Sequence, residues 1–198
     1  MLKPRCLISE THDPFFNLAT EDWIFKDMLT EEHILFLWRN DKTVVIGRNQ
    51  NPWAECNLSK LEENKVSLVR RQSGGGAVFQ DLGNTNFTFL SSRSEYDRKR
   101  NFDIIIKALA KFGIKAEQSG RNDILVDGKK ISGSAFKENP DRAFHHGTLL
   151  INVNLTELAG YLTPSPKKLL AKGTTSVRSR VANLTEFNHA INHEVLTN

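Results

Sequence analysis

Two stretches of this chain gather the residue types that bind and move charge. The first spans residues 70–83, Arg-Arg-Gln-Ser-Gly-Gly-Gly-Ala-Val-Phe-Gln-Asp-Leu-Gly, directly after a strand-like segment at 66–69. Three consecutive glycines pack nothing and lose much conformational freedom on folding. They let a backbone come close to a ligand with its N–H groups exposed. Arg70 and Arg71 set fork-shaped cationic donors, suited to phosphate or carboxylate, just before them. The combination reads as an anion-binding loop. It is not a Walker loop, because no Lys-Ser or Lys-Thr pair follows the glycines.

The second stretch surrounds Asp127-Gly128, a strong two-residue hairpin signal between apolar runs. Pairing outward from that turn puts Val126 opposite Lys129, Leu125 opposite Lys130, Ile124 opposite Ile131 and Asp123 opposite Ser132. Directly paired residues share a face of the ladder. Ile124, Val126, Ile131 and Lys129 then form the face to be buried, and Asp123, Leu125, Lys130 and Ser132 form the other. The second face joins a carboxylate, an ammonium and a hydroxyl. An ammonium aimed at phosphate oxygens, beside a carboxylate holding magnesium, stabilises charge in phosphoryl or adenylyl transfer. The geometry selects Lys130 over Lys129. His145 and His146 are adjacent on an expected strand and point to opposite faces, so they read as packing or hydrogen-bonding groups near the site.

Several elements have to carry these groups. Asp13-Pro14 starts a helix, with Phe15, Leu18, Ala19, Trp23 and Met28 as its apolar stripe. Strands are expected at 34–38, 43–46, 66–71, 77–79, 86–90, 124–126, 129–134 and 146–153. Helices are expected at 57–63, at 102–112 between an Asn101 cap and a Gly113 stop, and from an Asn154 cap to Tyr161. Pro164 and Pro166 punctuate the next loop, and Leu184-Thr185-Glu186 starts a helix that barely continues. Strands outnumber helices and mostly follow one another, which predicts an α+β fold of mixed sheets flanked by helices.

The 198 residues suit one domain, and the net charge of +4 is mild. Basic residues are spread along the chain and the aromatics form no stacking motif, so nucleic acid is not an expected partner. Apolar runs are too short to cross a bilayer, and the first residues do not form an apolar leader, so the cytoplasm is expected and a membrane is not. Cys6 and Cys56 have neither metal-site nor disulfide spacing.

Taken together, these segments resemble the lipoate–protein ligase A family. The resemblance is carried by Asp13-Pro14-Phe15-Phe16-Asn17-Leu18-Ala19, by Val45-Ile46-Gly47-Arg48-Asn49-Gln50-Asn51, and by Arg70-Arg71-Gln72-Ser73-Gly74-Gly75-Gly76-Ala77-Val78 with Asp81-Leu82-Gly83-Asn84. Further along it continues in Ser119-Gly120-Arg121-Asn122-Asp123, Lys130-Ile131-Ser132-Gly133-Ser134-Ala135 and Phe144-His145-His146-Gly147-Thr148. Ala171-Lys172-Gly173 and Ser176-Val177-Arg178-Ser179-Arg180-Val181 extend it. It covers almost the whole chain in order.

This resemblance implies a fold shared with biotin ligase catalytic domains and a two-step reaction. ATP, with magnesium, and lipoate would give lipoyl-AMP. The lipoyl group would then pass to a lysine of an apo lipoyl domain in a 2-oxoacid dehydrogenase complex, or of glycine-cleavage H protein. Carried over residue by residue, Arg71, Gly75 and the backbone of Gly76, Ala77, Val78 and Phe79 would hold the adenylate. Asn122 and Asp123 would bind the adenylate or magnesium, Asn84 would lie at the edge, and Lys130 would act in both steps. Gln80 stands where many members of the family have histidine. The resemblance also implies that residues 1–198 are a single catalytic domain without the accessory C-terminal domain usual in the family, which in some relatives is a separate polypeptide. The competing expectations are lipoyl or octanoyl transfer that uses preformed lipoyl-AMP or a partner subunit, a cysteine-dependent octanoyltransferase, a biotin ligase, and a non-catalytic module that binds lipoyl domains.

Overall fold

The computed structural model describes residues 4–27, 32–120, 122–162 and 181–197. Met28, Arg121, Pro164, Pro166 and the matched motifs over residues 171–180 lie outside the described residues. Among the described residues, ten strands form two sheets. The larger contains β1 (Pro4–Ile8), β2 (His33–Trp38), β6 (Asn84–Ser92), β7 (Glu117–Ser119), β8 (Asp123–Val126), β9 (Lys129–Glu138) and β10 (Arg142–Leu150), in the order β1-β2-β6-β10-β9-β8-β7. The smaller contains β3 (Thr43–Ile46), β4 (Ser67–Arg70) and β5 (Val78–Gln80), in the order β4-β3-β5. Each sheet mixes parallel and antiparallel pairs, and the fold is the α+β type expected.

Helix α1 (Pro14–Asp27) covers one face of the large sheet, with Ile24 and Phe25 packed on Phe36, Trp38, Leu90 and Phe144. On the opposite face, α4 (Arg98–Ala110) buries Phe102, Ile105 and Leu109 against Phe87, Ile124 and Ile131. A third core joins the small sheet to α3 (Leu58–Glu63) and α5 (Leu155–Tyr161) through Val44, Ile46, Leu61, Phe79 and Tyr161.

Local signals placed many of these elements. Asp13 caps α1 by accepting from the Phe15 N–H, Asn57 caps α3 and Asn154 caps α5. Residues 184–186 form a 3-10 turn closed by a reciprocal capping box between Asn183 and Glu186. Other expectations need correction. The stripe that α1 buries is Pro14, Asn17, Glu21, Ile24 and Phe25, whereas Phe15, Ala19 and Trp23 face out. Arg39 and Asn40, in the connection between β2 and β3, satisfy Asn17, and Thr88 on β6 satisfies Glu21, which a reading of one helix cannot see. Helix α4 begins at Arg98, capped by Asp97, so Asn101 is an interior buried residue. β6 and β10 start earlier than expected. β1, β7 and the short helices α2 (Pro52–Glu55) and α6 (His193–Thr197) carried too little periodicity to be seen.

The hairpin keeps Val126↔Lys129 and Leu125↔Lys130, then shifts: Ile124 pairs with Ser132 and Asp123 with Gly133. Ile131 is the extra residue, and Ile131 and Ser132 are both buried. The expected pairs Ile124–Ile131 and Asp123–Ser132 are therefore absent, and the Ser132 hydroxyl lies apart from the Asp123–Lys130 pair. Asp127 and Gly128 both adopt positive φ, as a type I′ turn requires.

β10 delivers its two histidines to opposite faces of the sheet. His145 sits among the rings of Phe87, Phe89, Phe102 and Phe136, and neither ring nitrogen has a hydrogen-bond partner among the described residues. Burial, aided by the nearby Arg98 charge, pushes His145 down to about 3. Unfolded, the same imidazole titrates near 6.5. Between those values the unfolded chain binds the extra proton, so His145 costs stability as pH falls below 6.5 and the loss is complete near 3. His145→Leu is expected to flatten this acid limb, each unit of pKa difference being worth about 1.4 kcal/mol. Urea unfolding at stepped pH checks it; parallel curves for wild type and variant would refute it.

Candidate active site

The site lies between the α1-side face of the large sheet and the small sheet. A cavity of about 200 Å³ has Leu18, Trp38 and Val45 at its apolar end, with Gly75, Gly76, Ala77 and Val78 on one wall. Asn122, Lys130, Ser134, His146 and Thr148 form the opposite wall. An open cleft of about 580 Å³, reaching Arg98, Phe136 and Glu138, shares Gly75, Asn122, Ser134 and Ala135 with it.

The glycine loop takes its shape from Arg71. This side chain is buried, and its guanidinium donates to Ser73 Oγ at 3.1 Å, to Gly74 O at 2.7 Å, to Gly76 O at 2.7 Å and to Val45 O at 3.2 Å. Desolvation lowers its pKa to about 10, and the nearby Glu21 charge opposes that fall. Arg70 is likewise occupied, donating to the carbonyls of Gly47, Arg48 and Gln50. The expectation that both guanidiniums offer free forks to an anion is thus corrected: in this structure they hold loops. Because the carbonyls of Gly74 and Gly76 turn toward Arg71, the N–H groups of Gly75 and Ala77 on the same trans peptides point away from it. Among the described residues no backbone hydrogen bond engages the amides of Gly74, Gly75 or Gly76. These amides, more than the arginine side chains, are the donors open to an anion.

Close approach sets the glycine requirement. A Cβ on Gly47 would stand 2.3 Å from Gly75 O, and one on Gly75, at φ +96, would stand 2.8 Å from the Arg71 guanidinium.

Lys130 reaches the cavity from β9. Its Nζ pairs with Asp123 Oδ1 at 2.7 Å, and its backbone carbonyl accepts from the Ala182 N–H. The ammonium crosses Gly133, where a Cβ would lie 2.9 Å from Nζ. Lys129 faces away and pairs with Glu186 at 3.2 Å. Asn122 lines the cavity and donates to Ser134 O. The Ser134 hydroxyl, buried in the cavity wall, has no hydrogen-bond partner among the described residues. It is an acceptor and donor left for a ligand.

Three expected site residues, Phe79, Asn84 and Asp123, are not in the cavity lining, the expectation for Phe79 being its backbone alone. Phe79 packs its ring on Tyr161 in the small-sheet core, so only its backbone is near the loop. Asn84 is fully buried and reaches the cavity through Asn86, to which its amide donates. Asn86 is the end of an interior amide chain in which Ser9, Asn17, Asn40 and Gln80 each hydrogen-bond the next, and Gln80 donates to Asn86. Gln80 is therefore an interior link whose amide also reaches the cavity wall. Sequence reasoning missed the group formed by Glu21, Ser73 and His146. His146 Nδ1 lies 2.8 Å from Glu21 Oε1, His146 Nε2 lies 2.7 Å from Ser73 Oγ, and Thr88 Oγ1 donates to Glu21 at 2.6 Å. Their numbers are too far apart for any local motif.

Among the described residues Asp123 belongs to no group of three or more histidine, cysteine or acidic side chains that could hold a metal ion. One carboxylate beside an asparagine fits a magnesium ion carried in on phosphate oxygens better than a protein-caged ion.

Fold and site together define an α+β domain in which apolar side chains, a glycine-rich loop and a lysine line one cavity. The chain belongs to the lipoyl protein ligase A/B catalytic domain family, whose model matches residues 13–198. A lipoate-protein ligase A of Psychrobacter cryohalolentis is 63% identical over 99% of this chain. The chain spans 58% of that relative's length. Among solved structures, P. falciparum LipL1 in complex with lipoate is 41% identical, with TM-score 0.86 over 98% of this chain and 59% of that one. A lipoate-protein ligase A bound with ATP is 27% identical, with TM-score 0.85 over 98% and 81%. A bipartite lipoate protein ligase of Thermoplasma acidophilum, described with its E2 lipoyl domain, is 29% identical, with TM-score 0.84 over 99% and 80%.

The tight approaches give a direct test. Gly47→Ala should push Gly75 O aside and open the loop, lowering thermal stability and raising protease cleavage within 72–77. Unchanged cleavage and melting would show that the loop tolerates the extra carbon.

Proposed function

We propose that this chain is the catalytic domain of an ATP-dependent lipoate–protein ligase. The observation that carries the reading is the meeting of Lys130, the unbonded glycine-loop amides and an apolar cavity end in one site. The ligands of the relatives, lipoate in one and ATP in another, support it.

In the first step the lipoate carboxylate attacks the α-phosphorus of ATP, pyrophosphate leaves, and a mixed anhydride forms. Leu18, Trp38 and Val45 would hold the acyl body, and the amides of the glycine loop would bind the phosphate. Magnesium, with Asp123 and Asn122 as donors, would neutralise phosphate charge. In the second step an acceptor lysine amine attacks the acyl carbonyl and AMP leaves. Lys130, held by Asp123 and laid over Gly133, would stabilise the negative charge that grows on the carbonyl and phosphate oxygens. The acceptor would be a lipoyl domain of a 2-oxoacid dehydrogenase E2 subunit or glycine-cleavage H protein, and the archaeal relative described with its E2 lipoyl domain supports the former.

Lys130→Ala is expected to lower transfer about 100- to 1000-fold, as loss of one preorganised donor does. Lys129→Ala removes an exposed pair with Glu186 and is expected to be nearly silent. Equal losses at unchanged circular dichroism would overturn the assignment.

A paired assay tests the whole reading. The protein and an apo lipoyl domain are incubated with ATP, magnesium and lipoate, or with synthetic lipoyl-AMP, and acceptor mass is read. Modification in both supports the full ligase. Modification with lipoyl-AMP alone means that activation needs a separate subunit or accessory domain. Modification in neither defeats the enzymatic reading.

A further inference from the structure

Glu21, His146, Ser73 and Arg71 form one continuous line of hydrogen bonds from a buried anion to a buried cation. Glu21 is 2% exposed and Ser73 is 1% exposed. The line joins three distant parts of the chain: α1, β10 and the glycine loop. Its polarity follows from what each group can do. Arg71 Nε–H can only donate, and it donates to Ser73 Oγ. At the far end, Glu21 Oε1 accepts from Thr88 and is the carboxylate whose charge favours the Arg71 cation. A carboxylate only accepts, so His146 Nδ1–H donates to Glu21; with a single proton on the ring, Nε2 is then an acceptor and the Ser73 hydroxyl donates to it.

We propose that Glu21 and His146 are positioning residues that hold the glycine loop in its nucleotide-binding shape through Ser73, with His146 as the neutral Nδ1–H tautomer. Ser73 is the point at which the loop is tied. Its carbonyl accepts the Arg48 N–H, its hydroxyl joins His146, and the loop curls round Arg71 immediately after it. His146 also lines the cavity, next to Gly147 and Thr148, so a single imidazole touches both the acyl chamber and the anion loop. Ser73, His146 and Glu21 have the spacing of a nucleophilic triad. The serine oxygen, however, is enclosed and already accepts from Arg71, which suits an anchor and opposes attack on a carbonyl.

Three measurements on the intact chain test this, and the first two do not depend on the ligase reading above. Long-range proton–nitrogen NMR should show His146 in the Nδ1–H form in wild type and Glu21→Gln, whose amide oxygen can still accept. That preference should be lost in Glu21→Ala. An Nε2–H or doubly protonated ring in wild type would overturn the polarity. Hydrogen exchange should quicken about tenfold at the Arg48 amide, which donates to the Ser73 carbonyl and so reports how firmly the loop is held, in Ser73→Ala, the expected effect of losing one buried hydrogen bond, while β6 and β10 stay protected. Unchanged exchange there would overturn the anchor.

The third measurement rests on the proposed ligase activity. KM for ATP should rise about tenfold in Ser73→Ala, with kcat changed far less, since the loop loses shape rather than chemistry. Loss confined to kcat, or a lipoyl ester on Ser73 after incubation with lipoyl-AMP, would identify a nucleophile and sink the proposal. If wild type modifies the acceptor neither from ATP and lipoate nor from lipoyl-AMP, the ligase reading fails, and the NMR and exchange results still decide the relay.

Discussion

A guanidinium taken out of water must find acceptors for its fixed fork of donors, and the structure is arranged around meeting that demand for Arg71. Its acceptors come from Ser73, Gly74, Gly76 and Val45, so the glycine-rich segment is a wrapper before it is a binding loop. The wrapping turns carbonyls inward and leaves amides outward. One act of satisfying a buried charge thereby creates the surface for another charge of opposite sign. Gly47 and Gly75 are needed because neighbouring backbone and guanidinium occupy the space that a side chain would take.

Lys130 is placed by independent means. A type I′ turn aims the hairpin, an extra residue at Ile131 rotates the ladder beyond it, and the segment entering at Ala182 fixes the Lys130 backbone from outside. The Asp123 pair is half-exposed, so its value lies in aiming the ammonium more than in stabilising the fold. Two unrelated constructions, a wrapped cation and an offset hairpin, meet across one cavity.

The parts legible in the sequence were those governed by neighbours along the chain. Asp13-Pro14, Asn154 and Asp127-Gly128 act over a few residues, and each formed as expected; the Asn57 cap and the capping box at 183–186 are equally local devices at helix starts expected there. Lys130 was separated from Lys129 because that distinction depends on the two pairs nearest the turn, where the ladder is regular. The same reasoning failed two residues further on, because nothing local announces the offset at Ile131. Arg70 and Arg71 were recognised as important, yet their targets, three carbonyls near Gly47 and a loop folded back on itself, exist only in three dimensions. The Glu21–His146–Ser73 line is the extreme case, since its members are separated by 52 to 125 positions. The family resemblance supplied the site's location, and the coordinates supplied which groups face it.

Helix α1 is inverted relative to a usual surface helix: Phe15 and Trp23, 62% and 65% exposed, stand outside while Asn17 and Glu21 lie within. Asn17 feeds the amide chain that ends at Asn86, and Glu21, one turn later, feeds the line that ends at Arg71. The tolerance of this helix to substitution is therefore reversed as well. The exposed aromatic positions 15 and 23 accept polar replacements cheaply, whereas isosteric apolar replacements at 17 or 21 leave partners unpaired in the connections around Ser9 and Asn40 and on β6 and β10. A hydropathy profile drawn along α1 would rank Ile24 and Phe25 rightly but would reverse the importance of Asn17 and Glu21 against Phe15 and Trp23.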